Sequence, residues 1–365
     1  MTVVSTDTES AGRPASAGVS GGAPTPTAVQ LASRHAAESL AEAVAALRGA
    51  LDAGEGILLL AHVNPDGDSL GSAIALGLAL RRLGASPQVS FDADPFVVPR
   101  TLRFLPGQDL LVAPGELGDS PRLVVTLDAG SEERLGCLAR RLAVPRRVVV
   151  VDHHASNTLF GDINVVDIEA ASTSVMVVRI IDALGVELDQ DIAAAVYTGL
   201  VTDTGSFRFA ATTPAVHELA ARLLATGIRH DLIGRTLWDT HRFGYLKLLG
   251  QALERARLEP EFDLIWTWCT EADLRVAGIG YDEIEAVIDT VRTVSEAEVA
   301  VVCKQDGDVW KISVRSKGAV DVGAVCTALG GGGHRFAAGI SSSAPLETVM
   351  GVFREELTRA PRLAG

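Results

Sequence analysis

Short apolar runs that alternate with longer helix-like ones constrain this chain more than any other feature. "ILLLA" (57–61), "PQVSF" (87–91), "RLVVTLD" (122–128) and "RRVVVVD" (146–152) have the length and continuous hydrophobicity of strands buried on both faces. Between and after them lie helix-like stretches, "SLGSAIALGLALRRLG" (69–84), "TSVMVVRIIDALG" (173–185) and "QDIAAAVYTGLVTD" (190–203). Parallel strands need crossover helices, so this rhythm predicts an α/β domain built on a doubly wound, mainly parallel sheet. Another helix-like stretch, "LASRHAAESLAEAVAALRGAL" (31–51), precedes the first strand. Residues 1–28 are rich in Ser, Thr, Gly, Ala and Pro and nearly free of large apolar groups, the composition of a disordered tail.

The pattern changes near residues 228–260. Beyond it, "FDLIWTWCT", "EVAVVCKQ" and "DVWKISVRS" read as strands of a smaller sheet, with helices expected at 282–294 and 321–329. The expected organisation is a tail (1–28), a larger N-terminal domain (29–228), a linking region (229–260) and a smaller C-terminal α/β domain (261–365), with the active-site cleft between the two domains. No internal repeat is seen.

A chain of 365 residues with 47% hydrophobic content can bury a core in each domain. The net charge of −14 argues against a protein that grips long nucleic acid by its phosphates. No apolar run reaches the roughly 18 to 20 residues that span a bilayer, and no secretory leader pattern opens the sequence, so a cytoplasmic protein with no membrane partner is expected. Cys137, Cys269, Cys303 and Cys326 are scattered without a CxxC pair, as expected of buried reduced thiols.

Chemistry concentrates where strands end. "HVNPDGDSLGS" (62–72) follows the first strand and offers His62, Asp66 and Asp68; Asp128 ends "RLVVTLD"; Asp152, His153 and His154 end "RRVVVVD"; Asp203 closes a helix-like run. In open parallel sheets the ligand crevice lies at the carboxyl ends of the strands, so separate segments aim these groups at one place. Any one aspartate is equally well read as a turn or helix cap, and turn geometry explains Asn64 and Ser69. Jointly they form a carboxylate and imidazole set without thiolate, which suits manganese and related divalent ions. So many carboxylates need cations to relieve their repulsion, and two ions about 3.5–4 Å apart fit better than one. Asp128, alone on its strand end, is the natural bridging ligand.

These residues carry a resemblance. "HVNPDGDSLGS", "LDAG", "VDHHAS" and "TGLVTDTGSF" match in order the four motifs of the DHH phosphoesterase superfamily, and "GGGGHRFAAG" (330–339) resembles the signature of the associated DHHA1 domain. Length and the pairing of "VRSKG" with "GGGGH" most resemble the NrnA-type enzymes, which are oligoribonucleases and 3′-phosphoadenosine-5′-phosphate phosphatases. The resemblance implies two Mn2+ ions per chain, one held by His62 and Asp66, the other by Asp68, His153 and Asp203, with Asp128 bridging. It implies that Asp152 orients the metal-binding histidine beside it and that His154 faces the substrate phosphate. The implied substrates are short RNA or DNA oligonucleotides, adenosine 3′,5′-bisphosphate (pAp), and cyclic di-AMP or its linear form pApA; a homodimer is compatible with the family.

In the second domain, Arg315 and Lys317 of "VRSKG" share a face if the strand continues, and an arginine can hold a phosphate bidentately. The glycines that follow "DVGAVCTAL" let backbone N–H groups approach an anion. By resemblance, Arg315, Ser316, Lys317, Gly331, Gly332, Gly333 and His334 form the substrate-binding surface. Trp238, Phe243 and Tyr245 are expected to pack internally, and His217, His230 and His241 are ordinary structural or surface histidines. Three rivals stay open: a manganese pyrophosphatase, whose basic Arg-Lys-Lys cluster is not seen here; a RecJ-like exonuclease, for whose additional binding regions there is little room; and a nucleotide-binding regulator without catalysis.

Overall fold

The computed structural model describes residues 27–118, 121–144 and 146–363. Residues 1–26 of the expected tail lie outside the described residues. Its last two do not belong to a tail. The Thr27 hydroxyl accepts a hydrogen bond from the Gln30 N–H while the Gln30 side chain accepts one from the Thr27 N–H, a reciprocal cap that starts helix α1 (Ala28–Arg34). Helix α2 (Ala36–Asp52) follows after a break at His35.

The first sheet and its helices then run β1 (Ile57–Leu60), α3 (Gly67–Arg82), β2 (Gln88–Ser90), β3 (Leu123–Leu127), β4 (Arg147–Asp152), β5 (Ile163–Val166), α4 (Thr173–Leu184) and α5 (Gln190–Asp203). The order across the sheet is β2-β1-β3-β4-β5, and every pairing is parallel. Ile57 and Leu59 of β1 point into one core with α2 to α5, while Leu58 and Leu60 point to the other face, onto Leu135 and Leu138. Both faces are therefore covered, the second by 3-10 turns within Glu132–Ala143 rather than by a long helix. The order reverses between β1 and β3, so the crevice of the parallel sheet opens where the His62 loop and Asp128 emerge.

Helix α3 is buried from Gly67 through Leu80 because it lies between the sheet and α5. A methyl at Gly71 would come within 2.5 Å of the Ala195 carbonyl oxygen, so glycine lets these helices approach. This contact sets the Asp66 and Asp68 end of α3 beside the Asp203 end of α5.

Helices α6 (Pro214–Ala225), α7 (His230–Trp238) and α8 (Phe243–Glu254) lead to a second sheet. Its elements are β6 (Arg257–Glu259), β7 (Leu264–Cys269), α9 (Glu271–Ala277), α10 (Val287–Val291), β8 (Val299–Asp306), β9 (Val309–Ser316), α11 (Val322–Ala328), β10 (Gly332–His334), β11 (Ala337–Ser342) and α12 (Leu346–Arg359). The order is β10-β11-β9-β8-β7-β6, mixed, with only β7 and β8 parallel. Val299, Val301 and Cys303 face α11 and α12, whereas Ala300 and Val302 face α8 and α10. Residues 229–260 hold no extended linker: Ile233 of α7 packs into the first core, and Tyr245, Leu248 and Ala252 of α8 pack into the second.

The cysteines form no disulfide; Cys269, Cys303 and Cys326 are buried, but Cys137 is exposed, its thiol 3.0 Å from Asp92 Oδ1. No helix of the described residues is long and apolar enough to cross a membrane.

Candidate active site

Asp66 is both a cap and a free carboxylate. Its Oδ1 accepts hydrogen bonds from the N–H groups of Asp68 (3.1 Å) and Ser69 (3.0 Å), and the Ser69 hydroxyl accepts one from the Asp66 N–H (3.1 Å), which closes the start of α3. That leaves Oδ2 turned toward His62, 3.6 Å from its Nε2. His62 is aimed by its other nitrogen, which donates to the Val63 carbonyl at 2.8 Å.

Asp128 stands just past β3 with φ of 60°, in the left-handed region that costs a non-glycine residue energy. Its Oδ2 lies 3.6 Å from His62 Nε2 and its Oδ1 3.4 Å from His153 Nε2. One carboxylate thus faces both histidines. Asp68 is fully buried, and its oxygens accept from the Thr173 and Ser174 N–H groups (2.6 and 2.9 Å) at the start of α4, where the helix dipole favours negative charge. Asp203 Oδ2 is 3.1 Å and Asp68 Oδ2 3.9 Å from His153 Nε2.

Two triads result, His62–Asp66–Asp128 and Asp68–His153–Asp203, each with ligand atoms within 4.8 Å of one another. His153 commits Nδ1 to the Ala170 carbonyl at 3.1 Å, while its buried Nε2 has no hydrogen-bond partner. An orphaned nitrogen facing three carboxylates is what a divalent cation satisfies, so the residues present fit metal ions.

Protons take that place in the ionisation of the cluster. Burial alone would lower His62, but Asp66 and Asp128 beside it push it up to about 10. His153 is likewise raised well above its ordinary value against its burial, chiefly by Asp128 and Asp203. Burial, with Asp203 and Asp128 facing it, drives Asp68 up, and burial also raises Asp203 to about 6. Burial would raise Asp128 too, yet the imidazoles of His153 and His62 beside it, with His154 nearby, hold it well below the carboxylate range.

Asp152 meets a different partner from the one expected. Its Oδ1 lies 2.7 Å from Nδ1 of His154, not of His153, and its Oδ2 accepts from Asn157 Nδ2 at 2.6 Å. Asp152 therefore fixes the ring that reaches toward the second domain. There His334 stacks on His154, ring centroids 4.2 Å apart, and lies 4.7 Å from His153.

The second domain brings part of its expected set to this place. His334 pairs with Ala337, and Ala337 with Arg315, so His334 and Arg315 occupy one cross-strand row. Ser316 points to the opposite face, where its buried hydroxyl donates to Glu298 Oε1 at 2.7 Å. Lys317 does not share the face of Arg315, because β9 ends at Ser316 and the lysine ammonium donates to the Val294 carbonyl. The glycine run is not an open loop: Gly332 and Gly333 pair with β11, and a methyl at Gly331 or Gly333 would meet the Gly339 or Ala337 carbonyl oxygen at 2.1 or 2.6 Å. Those two glycines serve strand packing, while the space beside Gly332 is open.

Tyr245 is buried as expected, but Phe243 is 72% exposed and Trp238 38%. His217 packs on Phe207 and His241 on Tyr245, in structural roles. Sequence reading missed Thr173, whose hydroxyl donates to Asp128 Oδ1 at 3.0 Å, and Asn157 beneath Asp152. The Ser-Thr-Ser run at 172–174, where α4 begins, is a local signal of hydroxyl and N–H donors, but nothing in it names the carboxylates they meet.

The chain matches the DHH family, N-terminal domain, over residues 56–200 and the DHHA1 domain over residues 274–359. It is 37% identical to the bifunctional oligoribonuclease and PAP phosphatase NrnA of Thermus thermophilus over 321 residues, covering 85% of this chain and 93% of that protein. With the protein of the same description from Bacillus subtilis the identity is 26%, over 78% of this chain and 88% of that one. Among solved structures, an exopolyphosphatase-related protein from Bacteroides fragilis shares the fold with a TM-score of 0.78, 23% identity, and coverage of 87% of this chain and 96% of that one. RecJ of Thermus thermophilus in complex with Mn2+ shares it at a TM-score of 0.52 and 16% identity, over 92% of this chain and 59% of that one. With a strand-end cluster fit for metal ions and both domains matched, the chain belongs to the DHH family and, as a homologue of NrnA, is a hydrolase of phosphoester bonds.

Proposed function

We propose that the protein is a manganese-dependent phosphohydrolase that cleaves short oligonucleotides to mononucleotides and dephosphorylates adenosine 3′,5′-bisphosphate, with pApA and cyclic di-AMP as further substrates of the same cleft. The observation that carries this reading is the pair of ligand triads joined by Asp128, with the His154–His334 stack closing the cleft from the second domain. His62, Asp66 and Asp128 would hold one ion, and Asp68, His153 and Asp203 the other, with Asp128 common to both. When bound, two such ions supply an activated water as nucleophile and neutralise the charge that develops on the phosphoryl oxygens. The nitrogen and oxygen ligands, with no thiolate, favour manganese.

The chain's own residues bind and orient. Asp152, held by Asn157, fixes His154 through Nδ1, which leaves Nε2 to donate to a phosphoryl oxygen. His334 is kept uncharged by burial and by the nearby His154 and His153, so it serves as a neutral hydrogen-bonding and stacking group. The relatives named for oligoribonuclease and PAP phosphatase activity, and the protein's net charge of −14, favour short substrates.

The test is a comparison after chelation and reloading with manganese or magnesium. Substrates are adenosine 3′,5′-bisphosphate, a dinucleotide, pApA, cyclic di-AMP, a 24-mer and pyrophosphate. Manganese should restore turnover better than magnesium, with the bisphosphate and dinucleotide ahead. Preferred pyrophosphate would point to a pyrophosphatase, equal degradation of the 24-mer to a strand exonuclease, and no turnover at all to a nucleotide-binding regulator.

A further inference from the structure

Arg292 of the second domain lies close enough to two other arginines, Arg315 of the same domain and Arg208 of the first, to feel both charges. Arg208 follows α5 by five residues from Asp203, after Gly205, Ser206 and Phe207, whose φ angles of 55°, 58° and 64° turn the chain tightly back. Its Nε donates to the Gly205 carbonyl at 2.6 Å. Gly205 has a second role, since a methyl there would come within 2.3 Å of the Phe209 ring, which is therefore seated directly against the turn. The guanidinium of Arg292, from the end of α10, lies over that ring, 4.7 Å from its centroid. A contact from Gly205 through Phe209 to Arg292 thus ties the loop behind Asp203 to the second domain.

Like charges gathered in this way ordinarily recruit carboxylates. Here, among the described residues, the side-chain hydrogen bonds of Arg208 and Arg315 go only to backbone carbonyls, of Gly205 and Val314. Among the described residues, no carboxylate lies within ion-pair distance of any of the three. Burial, then Arg315 and, more weakly, Arg208, disfavour the charge on Arg292, with Asp289 opposing them. Several guanidinium groups with free donors and no anionic partner form a place for an external anion, and their forks fit phosphate oxygens. The cluster sits beside the triads, because Arg208 belongs to the Asp203 loop and Arg315 to the His334 row.

We infer that Arg208 and Arg292, one from each domain, form with Arg315 a clamp for a second phosphate group of the substrate, the one that is not hydrolysed. In a nucleotide phosphorylated at both 3′ and 5′ positions this is the spectator phosphate; in an oligonucleotide it is the neighbouring phosphodiester. Because the clamp draws on both domains, engaging that phosphate also positions the reacting one against the triads. The inference rests on the nucleotide phosphohydrolase reading and adds Arg208 and Arg292 as the residues that select doubly phosphorylated substrates.

The experiment compares kcat/KM for adenosine 3′,5′-bisphosphate with that for adenosine 3′-monophosphate, which lacks the spectator phosphate. The wild type should prefer the bisphosphate. Arg208→Gln and Arg292→Gln should each lower the ratio at least about tenfold, mainly through KM of the bisphosphate, as expected for losing a charge-assisted phosphate contact. Arg292→Lys keeps the charge without the planar fork and should fall between. Native melting temperatures check folding, and exposed Arg208 decides the matter if the Arg292 variants are unstable. Ratios within twofold of wild type in folded Gln variants would overturn the clamp alone. A wild type inert toward both nucleotides would overturn the reading on which it rests.

Discussion

His334 of the second domain lies nearly parallel on His154 of the first, with centroids 4.2 Å and planes 20° apart. Asp152 holds His154 from behind, so the stack joins a rigidly anchored ring to the end of a glycine-lined strand. His334→Ala removes the stacking partner without touching either ligand triad. Metal content by elemental analysis should stay at the wild-type value, while KM for a dinucleotide rises about tenfold or more, since the lost contact serves positioning. Loss of metal in this variant would show that His334 belongs to the ligand cluster.

Asp128 serves two histidines at once from a left-handed backbone. Asparagine tolerates that conformation, so Asp128→Asn separates chemistry from strain. Turnover of every substrate should fall at least a thousandfold, with metal content reduced, while the fold persists by circular dichroism. Appreciable turnover in the folded variant would remove Asp128 from the bridging position.

The first sheet was legible because parallel strands buried on both faces leave unbroken apolar runs; β3 and β4 lead into Asp128 and Asp152, and β1 into the His62 loop. Strand β5 was not, since an asparagine interrupts the apolar run of Ile163–Val166. Helices α7 and α8 hid in the mixed stretch near residues 228–260 because their apolar faces serve two different cores. At the site, ligand types and order could be read, but the partner of Asp152 could not: adjacent residues on a strand end point in different directions, and only the fold shows which histidine returns to it. Ser316 and Lys317 failed for a related reason. Alternation turns Ser316 to the opposite face, and the strand ends before Lys317. Arg208 and Arg292 carried no local signal, since their meaning lies in a contact between segments 84 positions apart.

Chelation should make stability depend on pH in a way that metal abolishes. The Asp203 pKa is raised to about 6, above its unfolded value, chiefly by burial, so its favourable contribution is full below about pH 4 and lost as pH rises through 6. His62, raised to about 10 against its burial by Asp66 and Asp128, contributes fully below about 6.5 and loses that contribution as pH rises through 10. Both act in one direction, so the melting temperature of the chelated protein should fall between pH 5 and 9. Metal ions displace these protons, and the rise in melting temperature on adding manganese should therefore be larger at pH 8 than at pH 5. An equal rise at both values would mean that the metals do not bind through these groups.

Gly199 links helix packing to the ligand set. It lies on α5 four residues before Asp203, and a methyl placed on it would stand 2.6 Å from Asp68 Oδ1 and 2.8 Å from the Ser174 hydroxyl. Both neighbours are fully buried, and Asp68 is held from the other side by the N–H groups of Thr173 and Ser174, so neither can yield without cost. Gly199→Ala should first destabilise the protein by about 1–3 kcal/mol, the usual range for overpacking a filled core, even though alanine is the better helix former. It should next push the Asp68 carboxylate away from His153, weakening the Asp68–His153–Asp203 triad while leaving His62, Asp66 and Asp128 in place. Calorimetric titration of the chelated variant with manganese should then show one of two binding events weakened at least about tenfold, whereas a substitution that only loosened the fold would weaken both alike. Gly77→Ala supplies the comparison: it lies on α3 but away from the ligands, and its methyl meets the Leu110, Leu59 and Val89 side chains at 3.0, 3.3 and 3.3 Å, so it should affect stability and spare that selective loss.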